Sequence, residues 1–103
     1  MEDGILGLVR ESHSLNSKLI SVPRLLLLTS LENLGLDGAA YRELKAALEM
    51  DDGLLYSNLA ALEEMGYVKE QDVKIGNKEL ASYHICEEGR EALIQARVWL
   101  RKI

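Results

Sequence analysis

Residues 41–66 decide the fold and read YRELKAALEMDDGLLYSNLAALEEMG. The first part repeats apolar residues at helical spacing, at Tyr41, Leu44 and Leu48, and places charged residues between them. A tight break follows at Met50-Asp51-Asp52-Gly53. The stretch therefore predicts a short amphipathic helix that ends at this break.

A second helix is expected to start at the same break. Asp51 is a good N-cap because a short carboxylate accepts the free N–H groups of a first helical turn, and Asp52 suits the helix dipole. The helix carries one apolar stripe: Leu55, Leu59 and Leu62. Gly66 is the residue expected just past its end. Two short helices joined by a tight turn form a helix-turn-helix, which the sequence predicts over residues 40–66.

Beyond Gly66 the pattern changes from helical to extended. Residues 67–75 form one candidate strand and residues 79–85 another, with the turn signal Gly76-Asn77 between them. Alternate residues of the second strand share one face: Ala81, Tyr83 and Ile85. The sequence predicts a β-hairpin over 67–85, with His84 on the outer face of its strand.

Helices are expected on both sides of this centre. The apolar residues of 1–20 predict an N-terminal helical extension of one or two short helices. Ser21 can cap a leucine-rich central helix with Pro23 in its first turn, which gives a three-helix core over 22–66. Acidic residues open and basic residues close a last helix over 86–103, which matches the helix dipole at both ends.

The composition fits one soluble domain over residues 1–103. The chain is 48% hydrophobic and 28% charged, and 103 residues suit a single core. A lone Cys86 excludes an internal disulfide, so a reducing compartment is the natural one. The start is acidic where a signal peptide is basic, and the longest aliphatic run, Leu25–Leu28, is too short to span a bilayer. We expect a cytoplasmic protein with no membrane partner.

The predicted order of helix, helix, helix, hairpin and helix resembles a winged helix-turn-helix domain. Residues 41–53 resemble the second helix and turn of the short MarR/ArsR-like transcription regulators of archaea and bacteria. Residues 55–68 are similar to the recognition helix of that family, and residues 83–90 to the junction after its wing. The resemblance implies an α+β fold that is mainly α: a three-helix core, a β-hairpin wing and additional N- and C-terminal helices. It also implies a homodimer that binds double-stranded DNA.

The sequence departs from the pattern of that family at several positions. Cys86 stands where the family often has Thr, whose hydroxyl caps a helix better than a thiol, and Leu54 stands where Asn, Ser or Thr is more common. Residues 41–80 hold five bases and nine acids, and the net charge is −5. Phosphate neutralisation depends on Lys and Arg. The acidic surface and Leu54 favour an alternative function, a protein-interaction module in a larger complex that does not bind DNA directly.

The recognition helix, residues 51–65, carries the first candidate contacts for sequence-specific binding. Its exposed face is expected to hold Leu54, Tyr56, Ser57, Asn58 and Ala60. Such a helix lies in the major groove, where Asn58 can pair with adenine and Ser57 with a base or a phosphate. Leu54 or Ala60 can contact a thymine methyl group. The alternative is a solvated helix face.

The wing tip and the preceding helix carry further candidate DNA contacts. The wing residues are Lys74, Asn77 and Lys78, within the stretch 74–78. The two lysines can reach flanking phosphates or the minor groove, or they can be solubilising residues that block association of strand edges. Arg42 and Lys45 can contact the DNA backbone, or they can be ordinary charges of a helix surface.

Both ends of the chain hold apolar residues beyond the needs of a minimal winged helix. These predicted interface residues are Ile5, Leu6, Leu8, Val9, Trp99 and Ile103. Exposed apolar surface of this kind usually marks an interface. We expect the first and last helices to pack across a two-fold axis in a homodimer, so that two recognition helices address half-sites one helical turn apart. The alternative is that both ends pack on their own domain.

An enzyme is not expected. His13 and His84 are isolated, and the sequence supplies no third metal ligand and no nucleophile–base pair at a convincing spacing. Gly35 and Gly38 flank a turn without the Lys-Ser/Thr that a phosphate loop needs. Cys86 at a helix N-terminus can serve as a redox switch, or it is a small residue in a cap position. We expect no cofactor and no metal.

Overall fold

The fold places a small antiparallel sheet at one end of a group of helices. A computed structural model describes residues 4–103, apart from the side chain of Ile75. The described α-helices are α1 (Gly4–Ser12), α2 (Val22–Leu34), α3 (Tyr41–Leu48), α4 (Asp52–Glu64) and α5 (Glu87–Leu100). The strands are β1 (Ala39–Ala40), β2 (Val68–Ile75) and β3 (Lys78–Ile85), and single 3₁₀ turns lie at Ser17–Leu19 and Gly35–Asp37. The order confirms the predicted winged helix fold.

Local caps explain where the central helices begin. The Ser21 side chain accepts a hydrogen bond from the backbone N–H of Arg24 at 3.3 Å, with proline in the first turn of α2. The Asp51 carboxylate accepts one from the backbone N–H of Leu54 at 2.8 Å. Both predicted caps are therefore confirmed. Helix α3 ends at Glu49, which adopts the left-handed conformation at φ 52° and turns the chain toward α4.

The core is built mainly from leucine. Helix α2 is central: it buries three leucines and packs against α4, α5 and β3. The largest fully buried side chains are Leu19, Leu27, Leu28, Leu31, Leu44, Leu55, Leu59, Leu62 and Leu93. The predicted stripe of the recognition helix is thus part of this core. Burial of each leucine contributes about 2 kcal/mol, which makes this cluster the main stabilising element.

The wing is a long hairpin joined by a third, very short strand. Strands β2 and β3 pair antiparallel from Val68 opposite Ile85 to Ile75 opposite Lys78. The predicted turn lies between them, and Gly76 there has a φ of 64°, which favours glycine. Strand β1, which the sequence pattern did not predict, pairs with the other edge of β3 through Ala39 opposite Tyr83.

The predicted position of His84 on the outer face of β3 is wrong. Its side chain is only 8% exposed, and its Nε2 has no hydrogen-bond partner among the described residues. The connection before β1 covers this face of the strand: the Ser82 hydroxyl donates to the carbonyl of Asp37 at 3.4 Å. A Cβ at Gly38 would lie 2.6 Å from the His84 ring, so glycine is needed for the close approach. Both faces of β3 are therefore covered near its C-terminal end.

The N-terminal extension is helical, as predicted, in two short pieces. Helix α1 lies against α5, and a single 3₁₀ turn follows it. Asn16 caps that turn by accepting a hydrogen bond from the backbone N–H of Lys18 at 3.1 Å. Within residues 4–103, no helix is both long and apolar enough to cross a bilayer.

Candidate nucleic-acid interface

The outward face of α4 combines small side chains with one leucine and one tyrosine. The helix turns Leu55, Leu59 and Leu62 toward the core. Its exposed residues include Gly53, Leu54, Tyr56, Ser57 and Ala60. Tyr56 is the most prominent, at 70% exposed. The side chains of this face offer a hydroxyl, a phenol and methyl groups to a partner.

Asn58 does not belong to this exposed face, which corrects the sequence prediction. It is 7% exposed and lies on the buried side of α4. Its Nδ2 donates to the backbone carbonyl of Leu54 at 2.8 Å, and its Oδ1 accepts a hydrogen bond from Nε of Arg24 at 2.9 Å. Because its amide is used inside the protein, Asn58 is not available to pair with a base in this conformation.

Arg24 is a cationic residue that the sequence analysis missed. It stands in the first turns of α2, and its Nη1 also donates to the backbone carbonyl of Lys18 at 2.6 Å. Arg24 and Lys18 line a cavity of about 540 Å³ on one side of α4, together with Asn16, Ala61, Glu64 and Met65. No local signal in the sequence connects these residues, because Arg24 and Asn58 are 34 positions apart.

The opposite side of α4 is acidic. A second cavity, of about 340 Å³, lies between α4 and the wing and is lined by Tyr56, Leu59, Ala60, Glu63, Glu70 and Tyr83. Burial and the neighbouring Glu70 carboxylate raise the pKa of Glu63. Burial, a hydrogen bond with Glu70 and the nearby negative charges raise the pKa of Tyr83, so its phenol is neutral and donates.

The two candidate bases of α3 are in different situations. Arg42 is exposed. Lys45 forms an ion pair with Asp52 at 3.1 Å, and the hydrogen bond and charge of its ammonium lower the pKa of Asp52. The Tyr41 hydroxyl also donates to the Asp52 carboxylate at 3.2 Å. Lys45 must therefore leave this partner, or share it, in order to contact a phosphate.

The wing tip exposes all the residues that the sequence singled out. Lys74, Asn77 and Lys78 are exposed on either side of the turn. Lys74 lies opposite Glu79 in the strand register, and Lys78 closes the hairpin opposite Ile75. The tip is therefore basic, with one acidic neighbour across the ladder.

The ends of the chain form an apolar surface on α1 and α5. Of the predicted interface residues, Ile5, Leu6, Val9 and Ile103 are exposed. Leu8 and Trp99 are half-buried and contact each other's helix, since the indole Nε1 of Trp99 donates to the backbone carbonyl of Leu8 at 3.0 Å. Two further exposed residues of α5, Ile94 and Val98, extend this surface. The sequence holds a signal for them, because Ile94 and Val98 are four residues apart and therefore share one face of the predicted helix.

Residues associated with chemistry are scattered. In the part of the chain that the structure describes, no group of three His, Cys, Asp or Glu side chains is close enough to hold a metal ion. Cys86 is half-buried at the N-cap of α5, and its thiol makes no capping hydrogen bond. The arrangement offers a binding surface around α4 and the wing.

Comparison with known proteins agrees with this architecture. The family model described as "Winged helix DNA-binding domain" matches residues 24–103. Because the match covers most of the chain, the chain belongs to the winged helix DNA-binding domain family. A comparison with curated proteins gave no match.

A solved structure shares the fold. The crystal structure of a PadR family transcriptional regulator from Eggerthella lenta DSM 2243 superposes with a TM-score of 0.61 at 21% identity, covering 82% of this chain and 80% of that one. The winged helix level of the resemblance seen in the sequence is therefore confirmed. The closer assignment to MarR/ArsR-like regulators stays a prediction.

Proposed function

We propose that this protein is a small cytoplasmic transcription regulator that binds double-stranded DNA sequence-specifically as a homodimer. The observation that carries the proposal is the exposed face of α4, which has no partner within the described residues 4–103, beside a basic wing tip, in a chain of the winged helix DNA-binding domain family. The similar structure from Eggerthella lenta is that of a transcriptional regulator, which supports the same role.

Helix α4 enters the major groove in this proposal. Ser57 offers a hydroxyl to a base edge or a phosphate, and the apolar groups of Leu54 and Ala60 contact thymine methyl groups. Tyr56, at 70% exposed, has the reach to contact the sugar-phosphate backbone or a base edge. Asn58 is left out of this set because its amide is bound within the chain.

The wing and α3 position the protein on the backbone. Lys74 and Lys78 contact phosphates flanking the groove, and the amide of Asn77 contacts the same strand or the minor groove. Arg42 is the exposed base of α3 and contributes a further phosphate contact, while Lys45 does so only in exchange for Asp52. These contacts fix position and carry little sequence information.

The homodimer is supported by the apolar surface of α1 and α5. Ile5 and Leu6 are each more than 70% exposed, and Ile94 and Val98 are also exposed. Apolar residues clustered in this way are rarely left in water in a monomer. A two-fold axis through this surface presents two α4 helices to one duplex.

Selection from genomic DNA tests the proposal directly. Purified protein is incubated with sheared genomic DNA at near-physiological salt, and the bound fragments are recovered and sequenced. We expect enrichment of a few sites that share a two-fold repeated motif. Folded, monodisperse protein that enriches no fragment would refute sequence-specific binding by the protein alone.

A second function is favoured by one observation, the charge of the α4 and wing region. Residues 41–80 hold nine acids against five bases, and Glu63 and Glu70 lie together between α4 and the wing. A winged helix that serves as a protein-interaction module would use such a surface to bind a basic partner. Absence of DNA enrichment, together with a stable complex with a basic protein in a pull-down, would support this alternative.

A further inference from the structure

We propose that Arg24 anchors a DNA phosphate on the flank of α4 and that Asn58 is the residue that positions it. This inference rests on the proposed function and adds a contact that lies outside α4 and the wing. Arg24 stands at the start of α2 and lines the cavity beside α4 together with Lys18 and Ala61.

Two hydrogen bonds fix the guanidinium. Its Nε donates to Oδ1 of Asn58 at 2.9 Å and its Nη1 donates to the carbonyl of Lys18 at 2.6 Å. Neither bond uses Nη2, and Arg24 lines the open cavity, so the guanidinium keeps N–H groups that can donate to an anion there. Since the Nε–H is used by Asn58, a phosphate would be bound through Nη2 and the second N–H of Nη1, and a guanidinium already held in one orientation loses little side-chain entropy on binding.

Asn58 is an unexpected residue at its position, and Arg24 explains it. Position 58 lies on the buried face of α4 with Leu55, Leu59 and Leu62, where a fourth apolar residue would complete the stripe. A buried amide is tolerated only when it is hydrogen-bonded. Its two bonds go to the α4 backbone and to Arg24, so its contribution beyond packing is to hold that guanidinium.

The proposed Arg24 contact is important because α4 lacks positive charge. Helix α4 itself contains no Lys or Arg, so it brings no cation of its own to the DNA. Arg24 and the exposed Lys18 place positive charge directly beside it. Glu64 lines the same cavity and offsets part of this positive charge.

Salt-dependent DNA binding tests the proposal. The dissociation constant is measured over a range of NaCl concentrations for a duplex enriched from genomic DNA and for an unrelated duplex of equal length. The variants are Arg24→Gln, Arg24→Lys and Asn58→Leu, with Arg101→Gln, just after the end of α5, as the control for loss of one positive charge. Circular dichroism and thermal melting show whether each variant is folded.

The expected results separate charge from positioning. Arg24→Gln should weaken binding to both duplexes about tenfold and reduce the slope of log Kd against log salt by about 1. Arg24→Lys and Asn58→Leu keep the charge and should weaken binding by several fold while keeping most of the slope. Arg101→Gln should leave both quantities close to those of the parent.

Distinct outcomes overturn the inference and the proposed function. If the parent binds DNA and Arg24→Gln matches Arg101→Gln in affinity and slope, Arg24 is not an anchor. If Arg24→Gln weakens binding but a folded Asn58→Leu does not, the positioning role of Asn58 is refuted. The affinity of Arg24→Lys then shows whether binding needs the planar guanidinium or only its positive charge. If the parent binds neither duplex, the proposed function itself fails.

Discussion

Trp99 and Leu8 join the last helix to the first: the indole Nε1 of Trp99 donates to the Leu8 backbone carbonyl over 3.0 Å. An ion pair between Lys102 and Glu11, at 2.8 Å, reinforces the same junction. Although Trp99 was expected in a dimer interface, the contact found for it is within one chain. Its consequence is that α1 is held against α5.

Replacing Trp99 with Phe should weaken this junction without removing the proposed dimer surface. The change deletes the hydrogen bond to Leu8 and part of the buried area, so we expect the free energy of unfolding to fall by about 1 kcal/mol. Urea denaturation measures the loss, and sedimentation equilibrium measures the oligomeric state. An unchanged urea midpoint would show that the indole contact contributes nothing to stability.

The dimer is expected to depend on the exposed residues of α5. Replacing Ile94 and Val98 together with Glu places charge in the apolar surface and should weaken dimerisation by at least about a hundredfold, which corresponds to about 3 kcal/mol. Leu80→Glu, at an exposed apolar position of β3, serves as the control and should not alter the molecular mass in solution. A parent protein that sediments as a monomer would end the dimer proposal.

The wing lysines are expected to contribute affinity and not specificity. Changing Lys74 and Lys78 to Glu should weaken binding to every duplex alike and reduce the salt slope by ~1–2 units. Lys69→Glu, at the other end of the same hairpin, tests whether the effect is local to the tip. Loss of binding to the enriched duplex alone would contradict a pure phosphate contact.

Protonation of Glu63 is expected to link pH to both stability and DNA binding. Burial and Glu70 raise the pKa of Glu63, so its ionised form costs stability. This cost is absent below the pKa of the unfolded state, develops as the pH rises through the folded-state pKa, and is constant above it. Glu63→Gln should therefore stabilise the fold near pH 7, by about 0.5 kcal/mol or less after solvent screening, and hardly at all near pH 3.

The same substitution should change the pH profile of DNA affinity. In the parent, loss of the Glu63 charge on acidification reduces repulsion of phosphates beside α4, so affinity rises as the pH falls. Glu63→Gln should bind more tightly at pH 7 and show a flatter profile. Glu91→Gln, at an exposed position of α5, removes the same charge away from α4 and provides the control. Identical pH profiles for the parent and Glu63→Gln would refute the assignment.

Two glycine substitutions should have opposite effects on stability. A Cβ at Gly89 would overlap the backbone carbonyl oxygen of Tyr67, at the place where α5 crosses the base of the wing. Gly89→Ala should therefore destabilise the protein, although alanine is normally the better residue in a helix. At Gly53 a Cβ meets only the Asp51 carboxylate, at 3.6 Å, so Gly53→Ala should stabilise α4 by up to about 1 kcal/mol. Thermal denaturation of the two variants decides both predictions.

Local signals in the sequence predicted the elements that form the candidate site. The Asp51 cap, the leucine stripe of α4 and the Gly76-Asn77 turn each act over a few residues, and each is present in the structure. Strand β1 has only two residues, and it exists because β3 offers it a free edge. A strand of two residues is too short to show an alternating hydrophobic pattern in the sequence.

The errors concern residues whose partners are distant in the chain. Asn58 looked like a surface residue because a polar side chain on an amphipathic helix normally faces water; Arg24, 34 positions away, is what allows its burial. The prediction for His84 assumed that alternate residues of the strand lie on a solvated face. It is wrong because the connection at Gly38 covers that face. In both cases tertiary contact overrode the local pattern.

Arg24 and Lys18 on one side of α4, and Glu63 and Glu70 on the other, separate charge across the helix. Although Glu64 lies on the Arg24 side and reduces the difference, these side chains give the two flanks of α4 opposite charge, and the resulting dipole is roughly perpendicular to the helix axis. In the field of a polyanion such a dipole turns before the molecules touch, with the Arg24 side leading. Under the proposed function, the asymmetry acts on the orientation in which protein and duplex first collide, and we expect its effect on the association rate to decline as ionic strength rises.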